Sequence, residues 1–410
     1  MTPSLILDIV LVILIAEYLL ETWLEYLNYK QLDKAIPNEL QGIYDDEKYL
    51  KSVSYQKETA LFGFFTEAFS FSLSLIMLIV GGFGWLNGVL ENMVSQPMLL
   101  SLAFFGVLFI ASDVLSLPFS WYSTFTIEAK YGFNKMDTKT FWIDKIKGYA
   151  LTIVVGGVIV SVLLWLVQWL GKDFWWVFWA VMTVFIVFVN MFYTSLIVPI
   201  FNKLTPLPNG ELKTAILDYC NKVGFPLDNL FVIDGSKRST KANAYFSGFG
   251  KKKKIVLYDT LINNHTTDEL VAVLAHEVGH YKRKHIIQSL VVSILTIGIT
   301  LYLLSLMIFN ENLSLALGGT KNTIHLNLIA FGLLYSPIST ITGLLMTIWS
   351  RKNEYEADDF AKSTYSAEPL VSALKKLSTD NLSHLMPHPY YVFFNYSHPP
   401  LLHRIRNLEK

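Results

Sequence analysis

Charge is what this 410-residue chain has least of: only 16% of its residues are Asp, Glu, Lys or Arg, while 52% are hydrophobic and the mean hydropathy is +0.40. A soluble globular domain is usually about a quarter charged, so that class is excluded. No excess of Pro, Gly or charge points to disorder or a fibrous repeat. The 33 basic residues cancel the 33 acidic ones, which argues against a dedicated nucleic-acid binder. One cysteine, Cys220, excludes an internal disulfide and any thiolate-rich metal site. No internal repeat or low-complexity tract is present.

Basic residues are missing altogether from six stretches, 1–29, 60–118, 148–170, 174–200, 286–309 and 324–350. A membrane-spanning helix needs about 20 mostly apolar residues. Stretch 60–118 is long enough for two, divided by a turn-like segment from Gly81-Gly82-Phe83-Gly84 to Pro97. Seven spans are therefore expected, near 4–27, 60–82, 97–118, 148–170, 174–200, 286–309 and 324–347. The start, Met1-Thr2-Pro3-Ser4, lacks the basic region of a signal peptide. Lysines alternate between the connecting segments: five in 30–59, none in 83–96, five in 119–147, one each in 171–173 and 310–323, and 21 basic residues in 201–285 and 351–410 together. The positive-inside rule then puts the N-terminus outside, and 201–285 and the C-terminal tail in the cytoplasm.

The acids behave differently. Asp8, Glu17, Glu21, Glu25, Glu67 and Asp113 fall inside expected spans, and no span carries a base to pair with them. An unpaired carboxylate in hydrocarbon costs several kcal/mol. Glu17, Glu21 and Glu25 share one helix face. Either these acids sit at interfaces or are protonated or hydrogen-bonded between helices, or their faces line a water-filled cavity.

Residues 201–285 read as a compact α+β unit. An amphipathic helix is expected over 209–223, then strands at Leu230–Ile233, Ala244–Phe249 and Lys254–Tyr258, with turns at Asp234-Gly235 and Gly248 to Gly250. Lys251–Lys254 reads as a solvated turn attracted to anionic lipid heads. A helix follows over 267–285, started by Thr266 or Thr267 with Glu269. The tail 351–410 begins as a helix and ends in a Pro-rich loop, 387–400.

The 267–285 helix contains His276-Glu277-Val278-Gly279-His280, the H-E-x-x-H pattern. Residues i and i+4 stand one turn apart on one face, so two imidazoles can hold one zinc ion, with Glu277 beside them to take a proton from a water at the metal. The alternative is a structural pair of histidines. His285, nine residues past His276, faces the other side of a continuous helix and is left out as a ligand. Catalytic zinc takes three protein ligands and leaves a position for water. Without a usable cysteine the third is His, Asp or Glu. The best candidate is Glu354, with Asp358 one turn on to orient a histidine ring. Glu356 lies about 200° around the helix from Glu354 and cannot ligate with it. Taken alone, these acids read equally as a solvated helix start beside Arg351 and Lys352.

Together these residues resemble the type I CAAX prenyl endopeptidases, integral-membrane zinc metallopeptidases. The resemblance runs through nearly the whole chain: Pro118-Phe119-Ser120 with Tyr122-Ser123-Thr124-Phe125, Tyr131-Gly132-Phe133-Asn134-Lys135, Phe201-Asn202-Lys203, Thr205-Pro206-Leu207, Lys237 to Tyr245, Ile255 to Leu261, the zinc motif, Glu354 to Asp358, and Tyr396-Ser397-His398-Pro399-Pro400-Leu401. It implies seven transmembrane helices around a hollow chamber, with a small gluzincin-like α+β metalloprotease domain on the cytoplasmic side. It implies one zinc per chain on His276, His280 and Glu354. It implies that Asn243 and Ala244 form the edge that pairs with substrate backbone, that His398 stabilises the developing oxyanion, and that Arg404 assists in substrate binding. Without it, His398 reads as a loop histidine shaping a turn.

The expected organisation is 1–200 for the first five spans with cytoplasmic loops 29–59 and 119–147, then 201–285 for the metalloprotease domain, 286–350 for the last two spans, and 351–410 for a tail completing the zinc site. The expected activity is hydrolysis of peptide bonds in prenylated CAAX-type or other hydrophobic, membrane-associated peptides. The partners are such peptides and membrane lipid, and no nucleic acid. A bacterial cell membrane is the expected location, or the endoplasmic reticulum membrane in a eukaryote. Two rival readings remain: a membrane-protein quality-control zinc protease with about four spans, and a non-catalytic membrane protein with structural zinc, which would normally have four closed ligands.

Overall fold

The protein is described here by a computed structural model that describes all residues except 35, 37–39, 41, 226, 228 and 249–252. Its first half is helical: α1 (Pro3–Gln31), α2 (Asp46–Ile79), α3 (Gly82–Glu91), α4 (Pro97–Tyr122), α5 (Thr138–Leu151), α6 (Gly157–Leu170), α7 (Phe174–Leu196) and the short α8 (Val198–Phe201). A π-helical turn, Ser123–Glu128, extends α4 beyond Pro118, and another, Thr152–Gly156, joins α5 to α6. Among the described residues, six helical stretches are long and apolar enough to cross a membrane. Seven were expected. The difference lies in Thr138–Phe201, which runs 64 residues as one helical stretch. It turns back at Gly171, whose φ of 58° is a left-handed value that glycine tolerates, and so supplies two of the expected segments. The segment 81–97, expected as a turn, holds α3 between a left-handed Gly81 (φ 65°) and an extended Gln96 (φ -79°, ψ 120°).

The α+β half contains β1 (Leu204–Pro206), α9 (Glu211–Lys222), β2 (Leu230–Ile233), β3 (Ala244–Ser247), β4 (Lys254–Tyr258), α10 (Asp259–Asn264) and α11 (Thr267–Lys282). The end of the expected strand at Phe249 and the lysines Lys251 and Lys252 lie outside the described residues. Two more long helices follow, α12 (His285–Met307) and α14 (Ile324–Thr364), separated by α13 (Glu311–Ala316). The chain ends in α15 (Ala367–Asp380), α16 (Pro389–Asn395) and α17 (Leu401–Glu409). The expected loop 387–400 therefore contains a short helix, with Pro389 in its first turn, where proline's missing N–H is harmless. A further helix ends the chain.

The long helices close a ring. Around it, α14 touches α1, α1 touches α2, α2 meets the π-turn of α4, α4 touches α6, α6 touches α7, α7 touches α12, and α12 returns to α14. A bundle packed on a solid core buries one face at every turn. This ring does not: no residue is buried in 11–23, 61–77, 105–122, 142–163, 179–193, 286–297 or 332–352. Burial is confined to two ends. At one, Ile6, Leu78, Leu90, Phe104, Leu317 and Ala330 pack as a plug, with Leu166, Phe174 and Leu304 beside it. At the other sits the α+β half. The ring is hollow between them. Glu17, Glu21, Glu67 and Asp113 all fall in the unburied bands. Asp113 corrects the expectation of acids without bases: Lys145 lies 2.6 Å away and Tyr149 donates to it. The partner was hidden because Lys145 precedes its span.

A four-stranded sheet, ordered β1-β2-β4-β3, forms one wall of the α+β half. β2 and β4 are parallel, with Leu230 opposite Ile255, and β3 pairs antiparallel with β4 alone, Ala244 opposite Leu257. Leu270, Val271, Leu274 and Val278 of α11 pack against this sheet, against Ile216 and Cys220 of α9, and against Leu370 and Ile405. Each such side chain contributes roughly 1.5–3 kcal/mol. Burial pushes the Cys220 thiol up to about 12, so it is an inert core residue. The early helices clamp onto this half: Arg238 forks Asp144 of α5 at 2.7 and 2.9 Å, and Lys241 lies 3.0 Å from Glu128 at the end of the π-turn after α4.

Candidate metal centre

Helix α11 starts on a capping box. The Thr266 side chain accepts from the Glu269 N–H, and Glu269 accepts from the Thr266 N–H at 2.8 Å. Lys376 and Ser372 of α15 bind the same carboxylate at 2.7 and 2.6 Å. The helix then crosses α14 at close quarters. A Cβ on Gly279 would stand 3.0 Å from the Ala357 Cα. The glycine inside the H-E-x-x-H motif is thus what lets the two backbones approach.

That crossing brings His276 and His280 of α11 to Glu354 of α14. His276 Nε2 and His280 Nε2 are 3.1 Å apart. They lie 3.4 and 3.2 Å from the two oxygens of Glu354. Ligand atoms about 2.0–2.1 Å from one tetrahedral zinc stand about 3.3 Å from one another. The donor set therefore fits zinc in type and in spacing. Glu354 is 3% exposed, and its Oε2 is buried without a hydrogen-bond partner. A buried, unsatisfied carboxylate oxygen is costly, and a cation supplies what it lacks. Glu354 reaches this depth because α14 is one continuous helix of 41 residues rather than a span followed by a separate tail helix.

The second nitrogens of the rings are held from behind. His276 Nδ1 lies 2.9 Å from Asp358 Oδ1. Asp358 is fully buried, and Arg404 donates to both its oxygens, from Nε at 2.9 Å and Nη2 at 2.6 Å. Arg404 also lines the cavity in front of the site, with Nη1 3.7 Å from Glu354, but its fork is committed to Asp358. His280 Nδ1 lies 3.0 Å from His285 Nδ1, and His285 Nε2 lies 3.2 Å from Glu356. Here the expectation that His285 faces away is overturned. It assumed one helix over 267–285, but α11 stops at Lys282, and Lys284 takes a left-handed φ of 62° that swings His285 back.

Glu277 faces a cavity of about 360 Å³ and has no hydrogen-bond partner among the described residues. Burial pushes its carboxyl above the usual 4.5, with His276 and His280 pulling the other way. His398, in the loop between α16 and α17, places Nε2 3.3 Å from Glu354, with its side chain largely exposed. Asn243 and Ala244 line the same cavity. Because the Tyr258 N–H donates to the Asn243 carbonyl, the alternation of an antiparallel pair turns the Ala244 and Phe246 backbone groups outward. The Asn243 side chain meets the Ala244 N–H at 2.8 Å. An apolar part of the lining was not expected: Leu370, Leu374 and Leu377 of α15. Their i, i+4, i+7 spacing was the available signal.

Residues 25–203 match the family described as CAAX prenyl protease N-terminal, five membrane helices, and residues 206–410 match peptidase family M48. The chain is 36% identical to a CAAX prenyl protease 1 homolog of Oryza sativa subsp. japonica, covering 98% of this chain and 97% of that one. It is 35% identical to the CAAX prenyl protease 1 of Saccharomyces cerevisiae, covering 96% and 93%. A crystal structure of S. mikatae Ste24p superposes with a TM-score of 0.94 at 33% identity, covering 99% of each chain.

Proposed function

The chain belongs to peptidase family M48 and is a multi-pass membrane metalloendopeptidase; from that premise we propose that it uses one zinc ion to cut prenylated CAAX-type or other hydrophobic peptides. The observation that carries this is the three-residue donor set: two imidazole nitrogens and one carboxylate, 3.1 to 3.4 Å apart on a cavity wall beside an edge strand. His276, His280 and Glu354 hold the metal. Zinc held by these residues would supply polarisation of the scissile carbonyl and a lowered pKa for water.

The chain's own groups do the rest. Ala244 and Phe246 offer outward backbone groups, so an extended peptide adds a strand beside β3, with Asn243 at its entry. Leu370, Leu374 and Leu377 cover the peptide and exclude water. Glu277, free of other partners, takes the proton of the attacking water and returns it to the leaving amine. His398 stands where it can donate to the oxyanion that develops on the scissile carbonyl. Asp358, held by Arg404, fixes the His276 ring. The lysine alternation supports an N-terminus outside and a cytoplasmic metal site, in a cell membrane or the endoplasmic reticulum membrane. The number of apolar helices stands against the four-span quality-control reading.

The test is cleavage of a synthetic farnesylated CAAX peptide by detergent-purified protein, with Glu277→Gln and a chelator as controls. Cleavage by wild type alone is the expected result. A zinc-replete wild type that cuts no prenylated or hydrophobic peptide overturns the substrate assignment.

A further inference from the structure

The two metal-facing histidines are braced on opposite sides. Asp358 and Arg404 brace His276. His280 is met instead by a second imidazole, that of His285, Nδ1 to Nδ1 at 3.0 Å, and His285 Nε2 lies 3.2 Å from Glu356 Oε2. We propose that His285, anchored by Glu356, is a positioning residue that sets the ring orientation and proton placement of His280.

The proton assignment follows from the contacts. A bond between two Nδ1 atoms needs one donor and one acceptor. For His280 to present a lone pair at Nε2, toward Glu354, its proton must sit on Nδ1 and be donated. His285 Nδ1 then accepts, so the His285 proton sits on Nε2. That atom faces a carboxylate oxygen, which accepts. With both rings neutral and a cation between His280 Nε2 and Glu354, this is the one arrangement that satisfies the contacts of both rings. Glu356 thus fixes, through one intervening ring, which His280 nitrogen is free for a metal.

The backbone is arranged for the contact. Lys284 is one of two non-glycine residues at positive φ among the described residues, and it immediately precedes His285. Such a conformation is strained for a residue with a side chain and persists where the surroundings enforce it. Its effect is to end α11 and return the next side chain to His280. His285 is 4% exposed, so its ring is buried against the site rather than solvated. Glu356 is 38% exposed at its side chain, with Lys352 3.8 Å away, so it can be changed with little disturbance of packing.

This inference rests on the zinc reading, and its test reads metal binding as well as turnover. Full-length protein in detergent is titrated with a zinc chelator, and the absorption of the cobalt(II)-substituted protein is recorded. His285→Ala should hold zinc roughly 10–100-fold less tightly and alter the cobalt spectrum. Glu356→Ala should shift both in the same direction. His285→Asn keeps an acceptor near the Nδ1 position and should recover most of the affinity, which a simple loss of packing would not. Asp359→Ala, at an exposed acid that accepts from Asn407, is the control. Wild-type zinc affinity in both alanine variants overturns the inference, even if their melting temperatures fall. If His285→Ala does not fold, Glu356→Ala decides alone. A wild type that holds no stoichiometric metal overturns the zinc reading and this inference with it.

Discussion

Arg404 donates from Nε and Nη2 to the two oxygens of Asp358, 46 residues earlier in the chain, at 2.9 and 2.6 Å. The pair lies directly behind His276. Asp358 is 0% exposed and Arg404 9%. Removing one partner of a buried ion pair leaves the other uncompensated, at a cost of about 3–5 kcal/mol. Arg404→Ala should therefore lower the melting temperature strongly and weaken zinc binding as the His276 ring loses its brace. Replacing both residues, Asp358→Leu with Arg404→Met, should restore much of the stability but not the zinc affinity. A double variant with wild-type zinc affinity would show that the pair serves packing alone.

Glu277 separates chemistry from metal binding. It lines the cavity beside His276 and His280 but belongs to neither brace. Glu277→Gln keeps the shape and removes the base. Turnover should fall by at least ~10²–10⁴-fold, the usual contribution of general acid–base catalysis. Zinc content should stay at one per chain, measured by elemental analysis of the purified variant. Loss of zinc in step with activity would place Glu277 among the ligands instead.

Glu269 gives a pH dependence with a definite sign. Burial works to raise its carboxyl, but Lys376, Ser372 and the Thr266 N–H outweigh it and hold the group below the usual 4.5. A carboxylate with a depressed folded pKa stabilises the fold above its unfolded value, and that contribution is lost as pH falls through the folded one. Lys376 is 41% exposed at its side chain, so screening reduces the effect to about 1 kcal/mol. The melting-temperature difference between wild type and Glu269→Gln should be full at pH 7 and shrink below pH 4.5. A difference constant across that range would remove the charge from the explanation.

The parts of this site that were legible in the sequence are those set by one helix's own periodicity. His276, Glu277 and His280 follow from a four-residue spacing, and the Thr266 cap follows from its local residue types. Glu354 was legible only as the acid needed to complete a set. His285 was not legible, because its position depends on a left-handed Lys284, a residue type that gives no turn signal. Lys145 was missed as the partner of Asp113 because the two meet across 32 residues from different helices. The apolar stretches marked which helices cross a membrane. Their one mark of hollowness was ambiguous: Glu17, Glu21 and Glu25 share a helix face, which suits a water-filled interior, an interface or a bond between helices equally. The burial pattern of the ring as a whole resolves it in favour of a hollow interior.

The far end of that ring yields the last prediction. Its plug closes where α3 meets the turn after α13: the Gly84 N–H donates to the Leu317 carbonyl at 2.9 Å, and a Cβ on Gly84 would stand 1.9 Å from the Gly318 carbonyl oxygen. Gly318 cannot easily yield, because its φ of 83° is a glycine conformation. A contact that short involves backbone on both sides, so it is relieved only by separating α3 from the turn, which breaks the hydrogen bond and opens the plug around Leu90 and Leu317. Gly84→Ala should therefore lower the melting temperature in detergent by an amount typical of overpacking, about 1–3 kcal/mol. Gly88→Ala, one turn along the same helix, has nothing within 4 Å of its added carbon and should match wild type or exceed it slightly through helix propensity. Zinc content should be unchanged in both, because the metal site lies at the opposite end of the ring. Equal melting temperatures for the two variants would mean that the plug tolerates the separation and that closure at Gly84 does not hold the far end together.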